Sequence, residues 1–268
     1  MQSNQLPWQI KMFRRSIKKQ QKLKALLDLL GDTNGKDCLL VTCGDNNGAL
    51  NWYFREHGGK WTWADVSGEN NDQISRLLNE PVLSLQEDNF QMPERQFDRV
   101  VSIDVLEHLK RDQPFLSELK RILRPGGKAV VTVPNGDEGL LANRIKWKLG
   151  MTPEVYGHTR AGYTVAELAQ TIQSAGLQPS KSGGYSRFFT EMIELAINFG
   201  YVFVLSKKRG GAQPGHIAPV SSGELKTHGL AYKLYGVIFP IAWVISQLDR
   251  LLPQKNNNAV IVTATKQA

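Results

Sequence analysis

The chain has 268 residues, 41% of them hydrophobic and 22% charged, and a net charge of +8. That balance excludes an intrinsically disordered chain and leaves room for one substantial core with an extra lobe. The positive charge favours an anionic partner, whether nucleic acid, anionic lipid or a phosphorylated substrate, without choosing among them.

The N-terminal sequence MQSNQLPWQIKMFRRSIKKQ lacks the apolar core and small-residue cleavage site of a secretory signal, so a reducing cytoplasm is expected. Trp8 to Leu30 reads as one helix. Its first half carries Lys11, Arg14, Arg15, Lys18, Lys19 and Lys22 on one face, and its second half carries Leu23, Leu26, Leu27 and Leu30 at core spacing. Two readings stand: a packed helix with a solvated basic end, or a basic stripe on anionic lipid with Trp8, Ile10, Phe13 and Ile17 as shallow anchors.

From Asp37 the pattern alternates strand and helix, which favours a parallel sheet with helices on its faces. Strands are expected at 38–42, 60–65, 82–85, 98–103, 128–133 and 259–265, and helices at 48–57, 73–78, 113–123 and 164–175. Cys38 and Cys43, five apart on a strand, point to opposite faces and form no disulfide framework. The five histidines are scattered without zinc-site spacing, so no metal site is expected.

Between Gly184 and Asn258 the alternation stops. Phe188 to Leu205 is apolar, Lys207 to Gly229 reads as a loop, and Leu230 to Leu252 is apolar again. The stretch Leu234 to Ile245 is too short to span a membrane, and Pro240 is expected to interrupt it. It reads as an interfacial helix, a lid over a substrate tunnel, or plain core. The chain thus divides into a basic N-terminal helix (1–36), an α/β core (37–184), an apolar helical insertion (185–257) and a last core strand with its tail (258–268).

Four polar features follow strand ends, where an open α/β sheet binds ligands. They are the turn from Thr42 to Gly48, Asp65 at the end of the second strand with Val66 after it, the run Gln86 to Phe90, and Asp104 to His108. A carboxylate about 20 residues beyond a glycine turn can accept both hydroxyls of a ribose, which points to Asp65. Asp88 could address an adenine amino group, with Val66 or Phe90 against the base. Each has a plainer reading as a surface or helix-capping residue, and Glu107 and His108 in particular could cap the following helix.

The runs QFDRVVSIDVLEHL and FLSELKRILRPGGKAVVTVPN resemble class I S-adenosylmethionine-dependent methyltransferases, especially the small-molecule and lipid-modifying branch that includes quinone-biosynthesis enzymes. The resemblance covers about Asp37 to Ala175 and the last strand. It implies a doubly wound, Rossmann-like α/β sheet, mostly parallel with an antiparallel last strand, and S-adenosylmethionine as cofactor. It assigns the methionine end of the cofactor to Gly44, Asn46 and Gly48, the ribose to Asp65, and the adenine to Asp88 and Asn89. Asp104 falls in the specific fourth-strand segment. Two positions depart from the pattern: the usual first acid of the glycine turn is Thr42, and its middle glycine is Asn46, a residue that tolerates left-handed backbone.

Methyl transfer needs alignment of nucleophile, methyl and sulfur, and for a hydroxyl acceptor a base. His108 and His158 are the candidates, since imidazole titrates near neutrality. Arg160 could grip a carboxylate or phosphate of the acceptor, with Tyr163 beside it, and Thr164 reads as a helix N-cap. The apolar insertion and basic first helix suggest a small or amphiphilic, lipid-linked acceptor, with an anionic membrane surface as a further partner, on the inner face of the membrane. Nucleic acid is disfavoured because aromatic residues are sparse in the basic helix. A catalytically inactive cofactor-binding protein and a nicotinamide-dependent oxidoreductase are the rival readings.

Overall fold

Leu39 and Val41 belong to one hydrophobic core and Leu40 to another, so the first strand is buried on both faces and helices must cover each side. In the computed structural model, which describes residues 6–44, 46–199 and 229–267, the strands form a single sheet. They are β1 (Asp37–Thr42), β2 (Lys60–Asp65), β3 (Val82–Ser84), β4 (Phe97–Ile103), β5 (Leu123–Pro134), β6 (Gln178–Tyr185) and β7 (Ala259–Thr265). Their order is β3-β2-β1-β4-β5-β7-β6. β1 to β5 are parallel, and β7 runs antiparallel between β5 and β6. The doubly wound, Rossmann-like sheet with an antiparallel last strand is therefore present. β6 was not anticipated, because its sequence QPSKSGGY is polar and Tyr185 is its one fully buried residue. An edge strand needs no apolar run.

One face of the sheet is covered by α1 (Trp8–Phe13), α2 (Ile17–Leu30), α3 (Ala49–Glu56) and α4 (Asn71–Leu78), whose Phe13, Leu26, Phe54 and Ile74 pack with Leu40, Val101 and Ile261. The other is covered by α5 (Asp112–Ile122) and α7 (Val165–Ser174), with Phe115, Leu119, Leu168 and Ile172 against Val100, Val131 and Val262. Between them in the chain is α6 (Leu141–Lys148), and α7 is followed by α8 (Phe188–Phe199) and α9 (Gly229–Ser246). Thr164 caps α7 as expected: its hydroxyl accepts from Glu167 N, while Glu167 accepts from Thr164 N.

The N-terminal segment is two helices rather than one. Ser16 starts α2 afresh, its hydroxyl accepting from Lys19 N at 3.3 Å. The expected lipid anchors are corrected as well: Ile10, Phe13 and Ile17 are 1%, 4% and 3% exposed, and the Phe13 ring lies 4.5 Å from that of Tyr53 on α3. These residues are core. Helix α9 runs unbroken through Pro240. The residue four before it is Gly236, whose backbone yields most readily to a proline ring. Among the described residues no helix is long and apolar enough to cross a membrane. The expected loop from Lys207 lies outside the described residues as far as 228.

Candidate active site

The chain leaves β1 and β4 in opposite directions, so a crevice opens between their carboxyl ends. On the β1 side, Gly44 has a φ of +69° and a Cβ there would sit 3.1 Å from Ser67 Oγ, so glycine keeps the turn close to the next loop. The Asn46 amide is buried and spans the turn: it donates to Asn51 Oδ1 at 2.8 Å and accepts from Gly48 N at 3.0 Å. Gly48 starts α3 at a φ of +87°, where a Cβ would meet Leu77 at 2.9 Å. Its glycine serves helix packing.

Asp65 is wholly buried. Its carboxylate accepts from Thr42 Oγ1 (2.6 Å), from Gly44 N, from Ser67 N and Oγ (2.9 Å each) and from Gly68 N (2.8 Å). The residue expected to receive a ribose diol thus lies behind the wall, tying the β1 and β2 loops together. Ser67 and Glu69 present that second loop to the cavity instead.

The cavity has a volume of about 410 Å³, within the range of small-molecule sites. Thr42, Gly44 and Asn46 form one end; Asp104, Glu107 and His108, after β4, form the middle; Lys18, Lys22 and Glu191 close the far side. The basic helix therefore turns part of its charge inward. Lys22 pairs with Asp104, and Glu191 is gripped by Lys18 at 2.7 Å and Lys146 at 3.0 Å. Burial pushes the Glu191 carboxyl up, but Lys146 and Lys18 outweigh it and hold it at about 2.

Asp104 adopts left-handed backbone (φ +50°), held by its N–H to the Thr132 carbonyl at 2.9 Å. One of its oxygens, Oδ1, has no hydrogen-bond partner, and neither oxygen of the fully buried Glu107 has one. Burial and then the neighbouring Asp104 push the Glu107 carboxyl well above the usual range. A positive charge placed beside it would draw the proton off.

Two histidines complete this wall through a long-range docking. Thr159 N donates to the Glu107 carbonyl at 2.8 Å, Thr159 Oγ1 to the Leu109 carbonyl at 3.0 Å, and His108 Nδ1 to the Gly157 carbonyl at 3.1 Å. The loop after α6 is thereby laid on the segment after β4, and the His158 ring stands edge-on to His108 with centroids 4.9 Å apart. Burial, then His108, lowers His158 to about 4, so it is a neutral imidazole at neutral pH. Glu107, His108 and His158 offer ligand atoms within 4.8 Å of one another. The expectation of histidines without partners is corrected: such a set can accept a proton or hold a cation.

Other expected site residues lie elsewhere. Asp88 and Asn89 are exposed, Asp88 facing Arg111 at 4.0 Å, and Val66 packs on the core. Arg160 faces protein rather than cavity: it donates to Asp112 (2.9 Å), the Tyr163 hydroxyl (2.8 Å) and the Leu109 carbonyl (2.9 Å). Tyr163 is buried. Together they clamp the His158 loop. Glu107 was passed over as a capping residue, although an acid three after Asp104 in the apolar run IDVLEHL was a signal that both face one way.

Residues 39–131 match the family model described as a methyltransferase domain. That segment carries the sequence pattern of a methyltransferase domain. A Mycolicibacterium smegmatis protein, named as a probable S-adenosylmethionine-dependent methyltransferase, is 38% identical over 88 residues, 32% of this chain and 31% of that one. The tRNA U34 carboxymethyltransferase of Idiomarina loihiensis is 35% identical over 122 residues, 41% of this chain and 36% of its own length. The chain thus spans about a third of the length of these curated relatives. In fold it resembles geranyl diphosphate C-methyltransferase of Streptomyces coelicolor, solved with S-adenosylhomocysteine, at a TM-score of 0.54 and 12% identity over 92% of this chain and 76% of that one.

S-adenosylmethionine is named as the cofactor of the Mycolicibacterium relative, and the residues here can be tested against it. Gly44, its N–H held by Asp65 and its carbonyl by Asn46 N, brings main chain without a side chain to one end of the cavity, and the unpaired carboxyl oxygens of Asp104 and Glu107 in the same cavity suit a positively charged group.

Proposed function

We propose that this protein transfers a methyl group from S-adenosylmethionine to a small or amphiphilic acceptor, with the wall formed by Glu107, His108 and His158 beside the reacting atoms. The observation that carries the reading is the pairing, in one cavity, of orphaned carboxyl oxygens with a neutral, half-buried imidazole. The sulfonium supplies an electrophilic methyl group and needs only alignment with the nucleophile.

Gly44 and Asn46 would bound the methionine end, Ser67 and Glu69 the nucleoside end, and Asp104 would offset the positive charge. His158 accepts the proton of an acceptor hydroxyl, and the Gly157 carbonyl keeps His108 in the tautomer whose Nε2 is free to assist. Arg160 is a positioning residue here, since it holds the His158 loop without reaching the cavity. The resemblance of the fourth-strand and Pro-Gly-Gly segments to the small-molecule and lipid-modifying branch supports an amphiphilic, lipid-linked acceptor such as a prenylated ring. A nucleic acid acceptor is disfavoured because Lys18 and Lys22 are engaged by Glu191 and Asp104 inside the cavity.

The test is release of S-adenosylhomocysteine when the chain is given S-adenosylmethionine with a panel of prenylated phenols, soluble phenols and transfer RNA. Turnover with a prenylated phenol supports the reading. Cofactor binding without turnover on any acceptor would mark a non-catalytic binding protein, and turnover on transfer RNA alone would replace the acceptor class.

A further inference from the structure

Between Val237 and Leu251 the chain shows solvent a stripe of large apolar side chains. Val237 is 74% exposed, Ile241 63%, Val244 61% and Leu251 81%, with Leu248 among them at 41%. These positions recur every three or four residues and so share one side of α9 and the short 3-10 turn that continues it. The opposite side, Ala242, Ser246 and Asp249, is buried.

That inner side is anchored. The Asp249 carboxylate accepts the backbone N–H groups of Arg187, Phe189 and Thr190, at 3.0, 2.8 and 3.1 Å, where α8 begins. This is an N-terminal cap supplied from a distant segment, and it sets which way the apolar stripe faces. The stripe cannot turn inward without breaking it.

The charges around the stripe have one sign. Asp249 is the only acid between 237 and 255, and it is buried, whereas Arg250 and Lys255 are exposed. At the other end Gly236 abuts the Arg15 guanidinium, since a Cβ there would lie 2.7 Å from Arg15 Nη1, and Arg14 beside it is exposed. Trp243, 49% exposed, flanks the stripe. Apolar side chains fringed by cations and an indole are the pattern of a helix lying in a headgroup layer, and phosphates complement the cations.

We propose that this face docks on an anionic phospholipid surface, with α9 lying in its plane. The docking also places the cavity. Phe13 and Ser16, at the α1–α2 junction that carries Arg14 and Arg15, line it, as does Leu195 of α8. An acceptor with an apolar tail reaches the His158 wall from the bilayer side. The delivery of such an acceptor rests on the methyl-transfer reading above, but the surface itself requires neither cofactor nor acceptor.

Flotation of the full chain with vesicles of equal parts phosphatidylcholine and phosphatidylglycerol tests this, with pure phosphatidylcholine vesicles as control. The expected result is co-flotation with the mixed vesicles, weakened by salt, and a blue shift of Trp243 emission. The double variant Ile241→Glu, Val244→Glu should float about tenfold less or worse while melting and binding S-adenosylhomocysteine like its parent. Absence of flotation, or equal flotation of the variant, overturns the proposal. So does a dimer that the same variant dissociates without any vesicle binding, which assigns the face to a second copy. Because cofactor binding is measured separately, failure on vesicles leaves the methyl-transfer reading standing.

Discussion

The Thr42 hydroxyl donates to Asp65 Oδ2 at 2.6 Å, joining by side chains the ends of two strands that are already paired in register at these residues. The position where the family resemblance implies an acid is here a donor to the second acid. Restoring the acid sets two buried carboxylates side by side. Thr42→Asp should therefore weaken S-adenosylhomocysteine binding by tenfold or so, and Thr42→Ser should preserve it. Thr42→Val should lower stability by about 1.5–3 kcal/mol, the cost of losing a hydrogen bond to a charged group. Calorimetric titration and thermal melts check all three, and tighter binding by Thr42→Asp would show that the Thr42–Asp65 bond does not organise the turn.

Arg160 holds the His158 loop through Asp112, the Tyr163 hydroxyl and the Leu109 carbonyl. Arg160→Gln should lower kcat with little change in cofactor affinity and should move the His158 titration upward toward its ordinary value. Lysine, with a single ammonium, cannot reproduce the fork and should rescue only in part. A substrate-gripping role would instead raise KM and leave the His158 titration where it was.

Acid should cost this protein stability in two stages. His158, at about 4 against an ordinary 6.5, takes up its proton more readily when unfolded, so its contribution is complete above pH 6.5 and is lost as the pH falls toward 4. Glu191, at about 2 against an ordinary 4.5, contributes fully above pH 4.5 and loses that contribution as the pH falls toward 2. Urea midpoints from pH 7 to 3 should show the first decline in the parent and a flatter course in His158→Gln. Identical slopes would mean that His158 is not held as a neutral imidazole in the folded chain.

Glu191 sits 2% exposed between Lys18 and Lys146. Glu191→Gln leaves two cations without their shared counter-charge, and breaking a buried pair in this way costs about 3–5 kcal/mol. Differential scanning calorimetry should show the largest fall in Tm of any single variant named here. A change of a degree or two would mean that water screens the site.

The apolar runs made the sheet legible: Leu39, Leu40 and Val41 announce a strand buried on both faces, and the Pro-Gly-Gly stop before Lys128 marks the entry to β5. Edge strand β6 was hidden because half of its residues are exposed and only Tyr185 is buried, so it carries no hydrophobic signal. The cofactor end was half visible. Gly44 and Asn46 line the cavity, but the Asp65 carboxylate is engaged by the loops around it and Asp88 is exposed. The histidine wall depends on hydrogen bonds between residues about fifty positions apart, such as Thr159 to Glu107. No local pattern reports such a contact. The same holds for Lys22, whose inward turn toward Asp104 is decided by the break at Ser16 rather than by its own helical face.

Calorimetric titration of the parent chain and Gly44→Val with S-adenosylhomocysteine and with NAD tests the central claim most directly. A side chain at Gly44 would be strained at a φ of +69° and would press on Ser67 at the nucleoside end of the cavity. The parent should bind S-adenosylhomocysteine and not NAD, and Gly44→Val should bind it at least about tenfold more weakly while remaining folded. Binding of NAD alone, or undiminished S-adenosylhomocysteine binding by a folded Gly44→Val, would contradict the account.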